Sequence, residues 1–136
     1  MKFWDTSALV PLIVNEAQSR SMIRLMGSDA NVVVSFLTRV ELASGIARRL
    51  RNHDRMRDSS DFVQLLEREW TEIEAEPHVL TSARRLAHRH KLRAGDAIQL
   101  ACAVICRSMS NLEFVTLDHE LRCAARAEGF AVLPPE

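Results

Sequence analysis

Four short apolar segments stand out along the chain, and each has the length and composition of a buried β-strand. The three valines at positions 32 to 34 show this most clearly, because consecutive β-branched residues suit a strand that is covered on both faces. The predicted strands are Lys2–Trp4, Val32–Val34, Phe114–Leu117 and Phe130–Leu133, with a short edge strand within Thr71–Ala75.

The stretches between these strands repeat apolar residues at helical spacing. The pattern predicts helices at Ala8–Val14 with Thr6 and Ser7 as the cap, at Ser19–Met26 with Gly27 as the stop, at Phe62–Trp70, from Pro77, and at Leu92–Cys106. A last helix contains Leu121 and ends at Gly129.

One further helix is predicted from Ser35, with an inward stripe made of Phe36, Leu37, Val40, Ala43, Ala47 and Leu50. Glu41 lies at the margin of this stripe, beside the small residues Ser44 and Gly45. We expect the Glu41 side chain to face inward, since residues three and four apart share one side of a helix. The alternative is an ordinary surface glutamate.

Strands that alternate with helices indicate an α/β protein. Because the strands are short and continuously apolar, we predict a three-layer α/β/α sandwich around a mainly parallel sheet of about four or five strands. No repeat or linker divides the chain, so residues 1–136 are predicted to form a single domain.

Composition and charge narrow the class of protein. The zero formal net charge argues against a generalised basic nucleic-acid binder. The three cysteines show no CxxC spacing, which favours buried thiols in a reducing cytoplasm over disulfides or a zinc site. No apolar run is long enough to span a membrane, and the apolar segment Ala8–Val14 lacks the basic flank and cleavage site of a signal peptide.

The stretch Leu92–Cys106 combines one carboxylate with an almost wholly apolar helix. From Ala97 to Cys106 only Gln99 is polar, so the helix should lie deep in the core, and Asp96 at its start needs hydrogen-bond donors or a cation. One interpretation is a capping box, in which Asp96 and Gln99 satisfy the free N–H groups of the first turn. The other is a metal ligand.

Four carboxylates are predicted to meet at one edge of the sheet. Asp5 and Asp118 follow strands, Asp96 starts the buried helix, and Glu41 can reach the same edge with its longer side chain. Close like charges require protonation or a cation, and oxygen ligands without cysteine or histidine suit Mg²⁺ and exclude zinc and iron as good candidates.

A pair of Mg²⁺ ions at such a site suits phosphodiester hydrolysis, because the ions can orient a water and neutralise a phosphate. Thr116 and Ser7 each lie two residues from an acid and could orient water or a carboxylate, or serve as caps. A phosphatase with Asp5 as nucleophile is disfavoured, because that chemistry usually has a second aspartate where Ser7 stands.

Four motifs in order resemble one known family. DTSALV at Asp5, VELASG around Glu41, LRAGDAIQLA around Asp96 and VTLDHEL around Asp118, with an AxxxGF-like ending at Ala125 to Phe130, are similar to PIN-domain proteins, specifically the VapC-type toxins of prokaryotic toxin–antitoxin pairs. The resemblance covers the whole chain. Its one small departure is Gln99, at a place that is usually apolar, which we interpret as a matter of packing.

The resemblance implies an activity and partners. By it, Asp5, Glu41, Asp96 and Asp118 are the acidic metal-binding quartet, Thr116 is the hydroxyl residue before the last acid, and the activity is a Mg²⁺- or Mn²⁺-dependent endoribonuclease. It also implies a cognate antitoxin that covers the site, a homodimer, and structured RNA such as tRNA or rRNA as the target.

Two basic stretches, Arg48–Arg57 and Arg84–Arg93, could contact an RNA backbone beside the acids or could be solvated helix faces. Tyrosine is absent and Phe3 and Trp4 read as core, so stacking on single-stranded bases is disfavoured. The alternative function is a catalytically weak PIN module that acts mainly through its antitoxin in a DNA-binding repressor complex. Metal-dependent RNA cleavage separates the two hypotheses.

Overall fold

Short parallel strands form the central sheet, and five of them lie in the part of the chain that the structure describes. The computed structural model describes residues 1–51, 60–108 and 111–136. Within them the strands are β1 (Lys2–Trp4), β2 (Val32–Ser35), β3 (Thr71–Ile73), β4 (Glu113–Val115) and β5 (Val132–Leu133). Every pairing is parallel and the order is β3-β2-β1-β4-β5, so the predicted α/β class is confirmed and the edge strand is confirmed as β3.

Helices cover both faces of the sheet. Their bounds are α1 (Thr6–Ile13), α2 (Ser19–Ser28), α3 (Thr38–Arg51), α4 (Ser60–Glu69), α5 (Pro77–His90), α6 (Ala94–Arg107) and α7 (His119–Ala127). Alternating strand residues separate two cores: Phe3 and Val33 pack with α5, α6 and α7, whereas Trp4 and Val34 pack with α1 to α4. The predicted three-layer sandwich is therefore confirmed. No helix in the described segments is long and apolar enough to cross a membrane.

Glycine was predicted to end two of the helices, and the structure contradicts this for α2 and confirms it for α7. α2 continues past Gly27 and stops at Ser28, where Asp29 turns extended and its carboxylate accepts a hydrogen bond from the Asn31 N–H at 2.9 Å, so the prediction that Gly27 ends this helix is wrong. Gly129 does follow the last helix as predicted, with φ of +88°. The Phe130 N–H then bonds back to Ala125, which shortens the predicted last strand to Val132–Leu133.

The predicted face of α3 is wrong. Ser35 belongs to β2, and α3 begins at Thr38, whose hydroxyl accepts a hydrogen bond from the Ser35 N–H at 3.2 Å. Val40 is 73% exposed and Leu50 41%, whereas the buried residues are Thr38, Leu42 and Gly45. A Cβ on Gly45 would lie 3.0 Å from Val10 Cγ2, so the glycine lets α1 approach this side of α3 closely.

Candidate active site

An open cleft lies at the carboxyl ends of the central strands. The strand order reverses between β1 and β4, which is the point where open α/β sheets bind ligands. The cleft has a volume of ≈ 1120 Å³, and among its lining residues are Asp5, Glu41, Asp96, Asp118, Glu16, Arg48 and Arg49. The fold thus brings the four predicted carboxylates, from four separate places in the chain, to one depression.

Asp5 is the most deeply buried of the four carboxylates, at 4% exposure. Its Oδ2 accepts hydrogen bonds from the Ser7 hydroxyl at 2.5 Å and from the Thr116 hydroxyl at 3.0 Å, which join the ends of β1 and β4. Burial raises the pKa of Asp5, and the nearby Glu41 charge adds to the rise, while the hydrogen bonds from Ser7 and Thr116 oppose it.

The cap of α1 differs from the predicted one, whereas Thr116 and Ser7 orient a carboxylate, which is one of the roles predicted for them. Asp5, and not Thr6 or Ser7, caps α1, because its side chain accepts from the Ser7 N–H. Thr116 is fully buried and absent from the cleft lining; its hydroxyl donates to Asp5 and accepts from the Asp118 N–H at 3.1 Å. Thr116 therefore supports two of the acids from behind.

Asp96 lies in the first turn of α6 but does not cap it. The helix begins at Ala94, with Arg93 in the cap position and no side-chain cap bond, so the capping-box interpretation is wrong. Within the described segments no group donates a hydrogen bond to the Asp96 carboxylate, although the residue is only partly exposed. Burial raises the pKa of Asp96 to about 6, and the negative charges of Asp5 and Asp118 add to the rise.

Glu41 projects from α3 toward the first turns of α1 and α6. Its Oε1 accepts hydrogen bonds from the Thr6 hydroxyl at 3.3 Å and from the Gln99 side-chain amide. Its Oε2 would be 3.3 Å from a Cβ on Gly95, so the glycine before Asp96 gives this carboxylate room. The expectation that Glu41 faces inward is correct, and the surface-glutamate alternative is wrong.

Thr6 and Gln99 are site residues that the sequence analysis missed. Thr6 was assigned to a helix cap and Gln99 to packing, but both hold Glu41. The available signal was a single polar side chain in an apolar helix, three residues after Asp96 and hence on the same side of α6.

Asp118 is the N-cap residue immediately before α7, and it lies three residues beyond the end of β4. β4 stops at Val115, and the Asp118 Oδ1 accepts a hydrogen bond from the Leu121 N–H at 2.8 Å as the cap of α7. The second oxygen accepts none from the described residues and belongs to a side chain that lines the cleft. Capping thus fixes one oxygen of Asp118 and leaves the other for a ligand.

The donor set of the cleft suits a hard cation. In the described part of the chain, no three histidine, cysteine, aspartate or glutamate side chains form a ready-made metal cage. Asp5, Glu41 and Asp118 each use one oxygen in hydrogen bonds and keep another that accepts none from described residues. Mg²⁺ commonly binds one or two carboxylates and keeps several waters, so it fits this arrangement, whereas a tetrahedral zinc site does not.

The two basic stretches are placed differently. Arg48 and Arg49 line the cleft, and Arg49 lies 3.5 Å from Glu16, while His53, Arg55 and Arg57 of this stretch fall outside the described residues. The second stretch runs along α5, where Arg84, Arg85 and Arg89 are exposed and do not line the cleft. The last residue of that stretch, Arg93, precedes α6, and its charge opposes the rise in the pKa of Asp96. Among the described residues, Arg48 and Arg49 of the first stretch and Arg93 of the second therefore lie near the acids.

We expect the clustered acids to destabilise the protein at neutral pH in the absence of a divalent ion. Since the pKa of Asp96 is raised to about 6, the folded state holds this proton more tightly than the unfolded state, whose aspartate titrates near 3.8. Stability is therefore lost as pH rises from about 4 to about 6. At pH 7 Asp96→Asn should raise the free energy of unfolding by about 1 kcal/mol, a value reduced from the full shift because solvent screens a partly exposed group.

Urea unfolding in EDTA, at pH 4 and pH 7, tests this prediction on the unmodified protein and on Asp96→Asn. The variant should gain stability relative to the unmodified protein mainly at pH 7. If the free energy of unfolding changed with pH to the same extent in both proteins, the prediction would be contradicted.

Comparison with known proteins relates this chain to one family. A profile of the family described as PIN domain matches residues 2–127. Ribonuclease VapC45 and Ribonuclease VapC49, both of Mycobacterium tuberculosis, are each 30% identical to this chain over 141 aligned positions, covering 98% of the chain and 95% of the relative.

Two solved structures share the fold. A chain of a toxin-antitoxin complex from Klebsiella pneumoniae superposes with a TM-score of 0.70 at 20% identity, covering 100% of this chain and 98% of that one. The crystal structure of PAE2754 from Pyrobaculum aerophilum gives a TM-score of 0.63 at 18% identity, covering 96% of this chain and 81% of that one. The likeness extends over the whole three-layer architecture.

Proposed function

Because the chain belongs to the PIN domain family, we propose that it is a divalent-metal-dependent endoribonuclease, the toxin of a toxin–antitoxin pair that cleaves structured RNA of the tRNA or rRNA class. The observation that carries this proposal is the convergence of Asp5, Glu41, Asp96 and Asp118 on one open cleft at the point where the strand order reverses. The names of the 30%-identical relatives support the ribonuclease activity.

Asp5, Asp96 and Asp118 would hold Mg²⁺, or Mn²⁺ in its place, and Glu41 would complete a second site or align a water. The ion would supply Lewis-acid stabilisation of the phosphate and a water of lowered pKa. The protein's own part is positioning: the Ser7 and Thr116 hydroxyls hold Asp5, and the Leu121 N–H holds Asp118. The raised pKa values of Asp5 and Asp96 are in keeping with a site that a cation completes.

The size of the cleft favours a polymeric substrate. Its volume of ≈ 1120 Å³ exceeds the range of about 300–1,000 Å³ that is usual for small-molecule pockets. Arg48 and Arg49, at one side of the acids, could contact phosphates. With Phe3 and Trp4 fully buried, base stacking on these rings is excluded, which favours recognition of RNA shape.

The proposed partners follow from the structural neighbour. The Klebsiella pneumoniae chain comes from a toxin-antitoxin complex, which supports a cognate antitoxin for this chain. A homodimer, and DNA contact only through the antitoxin, belong to the same proposal. The three cysteines are free thiols, in keeping with a reducing cytoplasm as the compartment.

RNA cleavage by the purified protein tests the proposal. We expect the protein to cut tRNA or rRNA at defined sites with Mg²⁺ or Mn²⁺, and cutting to fall by at least tenfold with EDTA, because the ion both orients water and neutralises the phosphate. Sequencing of RNA ends identifies the sites. Asp5→Asn, purified in the same way, is the control for contaminating nucleases.

Persistent cutting in EDTA, or equal cutting by Asp5→Asn, would overturn the proposal. Absence of any metal-dependent cutting would favour the alternative, a catalytically weak PIN module that acts through its antitoxin in a DNA-binding repressor complex. The lack of a ready-made three-ligand cage among the described residues is the observation in favour of that alternative.

A further inference from the structure

Gln99 is a polar residue at a position where the surrounding helix is otherwise apolar. It is fully buried in α6, and its neighbours Leu100, Ala101 and Cys102 are buried as well. Its side-chain carbonyl Oε1 is buried without a hydrogen-bond partner in the described structure. Burial of an unsatisfied carbonyl is unfavourable, so packing alone does not account for a glutamine here.

The Gln99 amide group makes two contacts, both in the floor of the cleft. Nε2 donates to Glu41 Oε1 and to the Thr6 hydroxyl oxygen at 3.3 Å, and that hydroxyl donates in turn to Glu41 Oε1. A carboxylate can only accept, and the Thr6 hydroxyl is already used as a donor, so the NH₂ end of Gln99 must face them. The three side chains form a closed network that links α1, α3 and α6.

This network holds one carboxylate oxygen of Glu41 and leaves the other without a hydrogen bond from the described residues. Oε1 is held by Gln99 and Thr6, whereas Oε2 lies beside Gly95, one residue before Asp96. Gln99 is also three residues after Asp96, on the same side of α6. A single helix therefore carries both a cleft carboxylate and the group that orients a second one.

We infer that Gln99 is a positioning residue, which holds Glu41 so that Oε2 is presented to a divalent ion in the cleft. This inference rests on the proposed function, because it requires the cleft to bind such an ion. Without the amide donor, Glu41 would be free to rotate, and binding would have to restrict that motion.

Binding of Mn²⁺ alone, measured by titration calorimetry without RNA, tests the inference. Gln99→Leu replaces the amide with an apolar group of similar size, and Leu100→Met is the control at the next buried position of α6. We expect Gln99→Leu to raise the Mn²⁺ dissociation constant by about tenfold or more, the usual size of such indirect effects on metal ligands. Leu100→Met should stay within about twofold.

The thermal midpoint of the metal-free protein separates positioning from stability. Gln99→Leu removes an unpaired buried carbonyl and also the amide donor of Glu41, and these two effects oppose each other, so we expect its midpoint to stay within about 4 °C of that of the unmodified protein. If the variant binds Mn²⁺ as tightly as the unmodified protein, the inference is overturned and the proposed function stands. If the unmodified protein binds no Mn²⁺, both are overturned.

A second measurement needs no variant and applies even if Gln99→Leu does not fold. In ¹⁵N NMR spectra, addition of Mg²⁺ should shift the side-chain NH₂ signals of Gln99, while those of Gln64, which is exposed on α4, should stay in place. A Gln99 signal that does not move at saturating Mg²⁺ would overturn the inference.

Discussion

Replacement of Asp96 by asparagine is expected to lower RNA cleavage by about 10³-fold, equivalent to about 4 kcal/mol of transition-state stabilisation. The substitution keeps the size and shape of the side chain and removes the negative charge that would hold the ion. The fold should survive, because no described group donates a hydrogen bond to the Asp96 carboxylate. Loss of activity would then report on the chemistry of the cleft and not on unfolding.

The rate of cleavage at saturating Mg²⁺ is the measurement, with circular dichroism as the check on folding. Glu120→Gln is a matched control: Glu120 is exposed on α7 and raises the pKa of Asp96 through its charge, but it does not line the cleft. We expect Glu120→Gln to stay within about threefold of the unmodified protein, since a solvent-exposed charge acts weakly at a distance. Undiminished cleavage by Asp96→Asn, or an equal loss in the control, would contradict the assignment of Asp96.

The sequence predicted the parts of the site that depend on chain direction. In a parallel sheet all strands end at one edge, so residues that follow β1 and β4 must approach each other, and Asp5 and Thr116 do so at 3.0 Å. The start of α6 also lies at this edge, but α6 follows α5 and not a strand, so the direction of the strands does not by itself place Asp96. The approach of Asp5 and Thr116 can be predicted without knowledge of side-chain packing. The roles of these residues in metal binding and catalysis are still predictions.

The orientation of α3 could not be predicted in the same way. Its apolar residues allow more than one inward face, and the stripe with Val40 and Leu50 is the more hydrophobic one. The inward face instead carries Gly45, which packs closely against Val10, and this contact joins residues that are far apart in the chain. Hydrophobic periodicity describes a single helix and carries no information on the neighbour against which that helix packs.

The hydrogen bonds of Gln99 were missed for a related reason. Its partner Glu41 is 58 positions away, on a helix whose inward face was itself mispredicted. A buried amide can satisfy its donors within its own helix or across an interface, and only the assembled core decides between them. The polar network of the site is therefore less predictable than the positions of its aspartates.

Phe114→Ala is expected to give the largest loss of stability, about 3–5 kcal/mol, because it leaves a cavity in the core beneath the site. Phe114 is fully buried in β4, with its ring centroid 5.3 Å from that of Phe3 and 5.6 Å from that of Phe130. In a domain of this size such a change should lower the midpoint of thermal unfolding by about 10 °C or more.

Thermal and urea unfolding of Phe114→Ala and Phe114→Leu measure this effect, and the leucine variant, which keeps most of the volume, should lose only about 1 kcal/mol. β4 leads directly to Thr116, whose hydroxyl holds Asp5, and to Asp118, which lines the cleft. Phe114→Ala should therefore also bind Mn²⁺ more weakly at temperatures where it remains folded. Equal stability of the alanine and leucine variants would show that the aromatic cluster does not anchor β4.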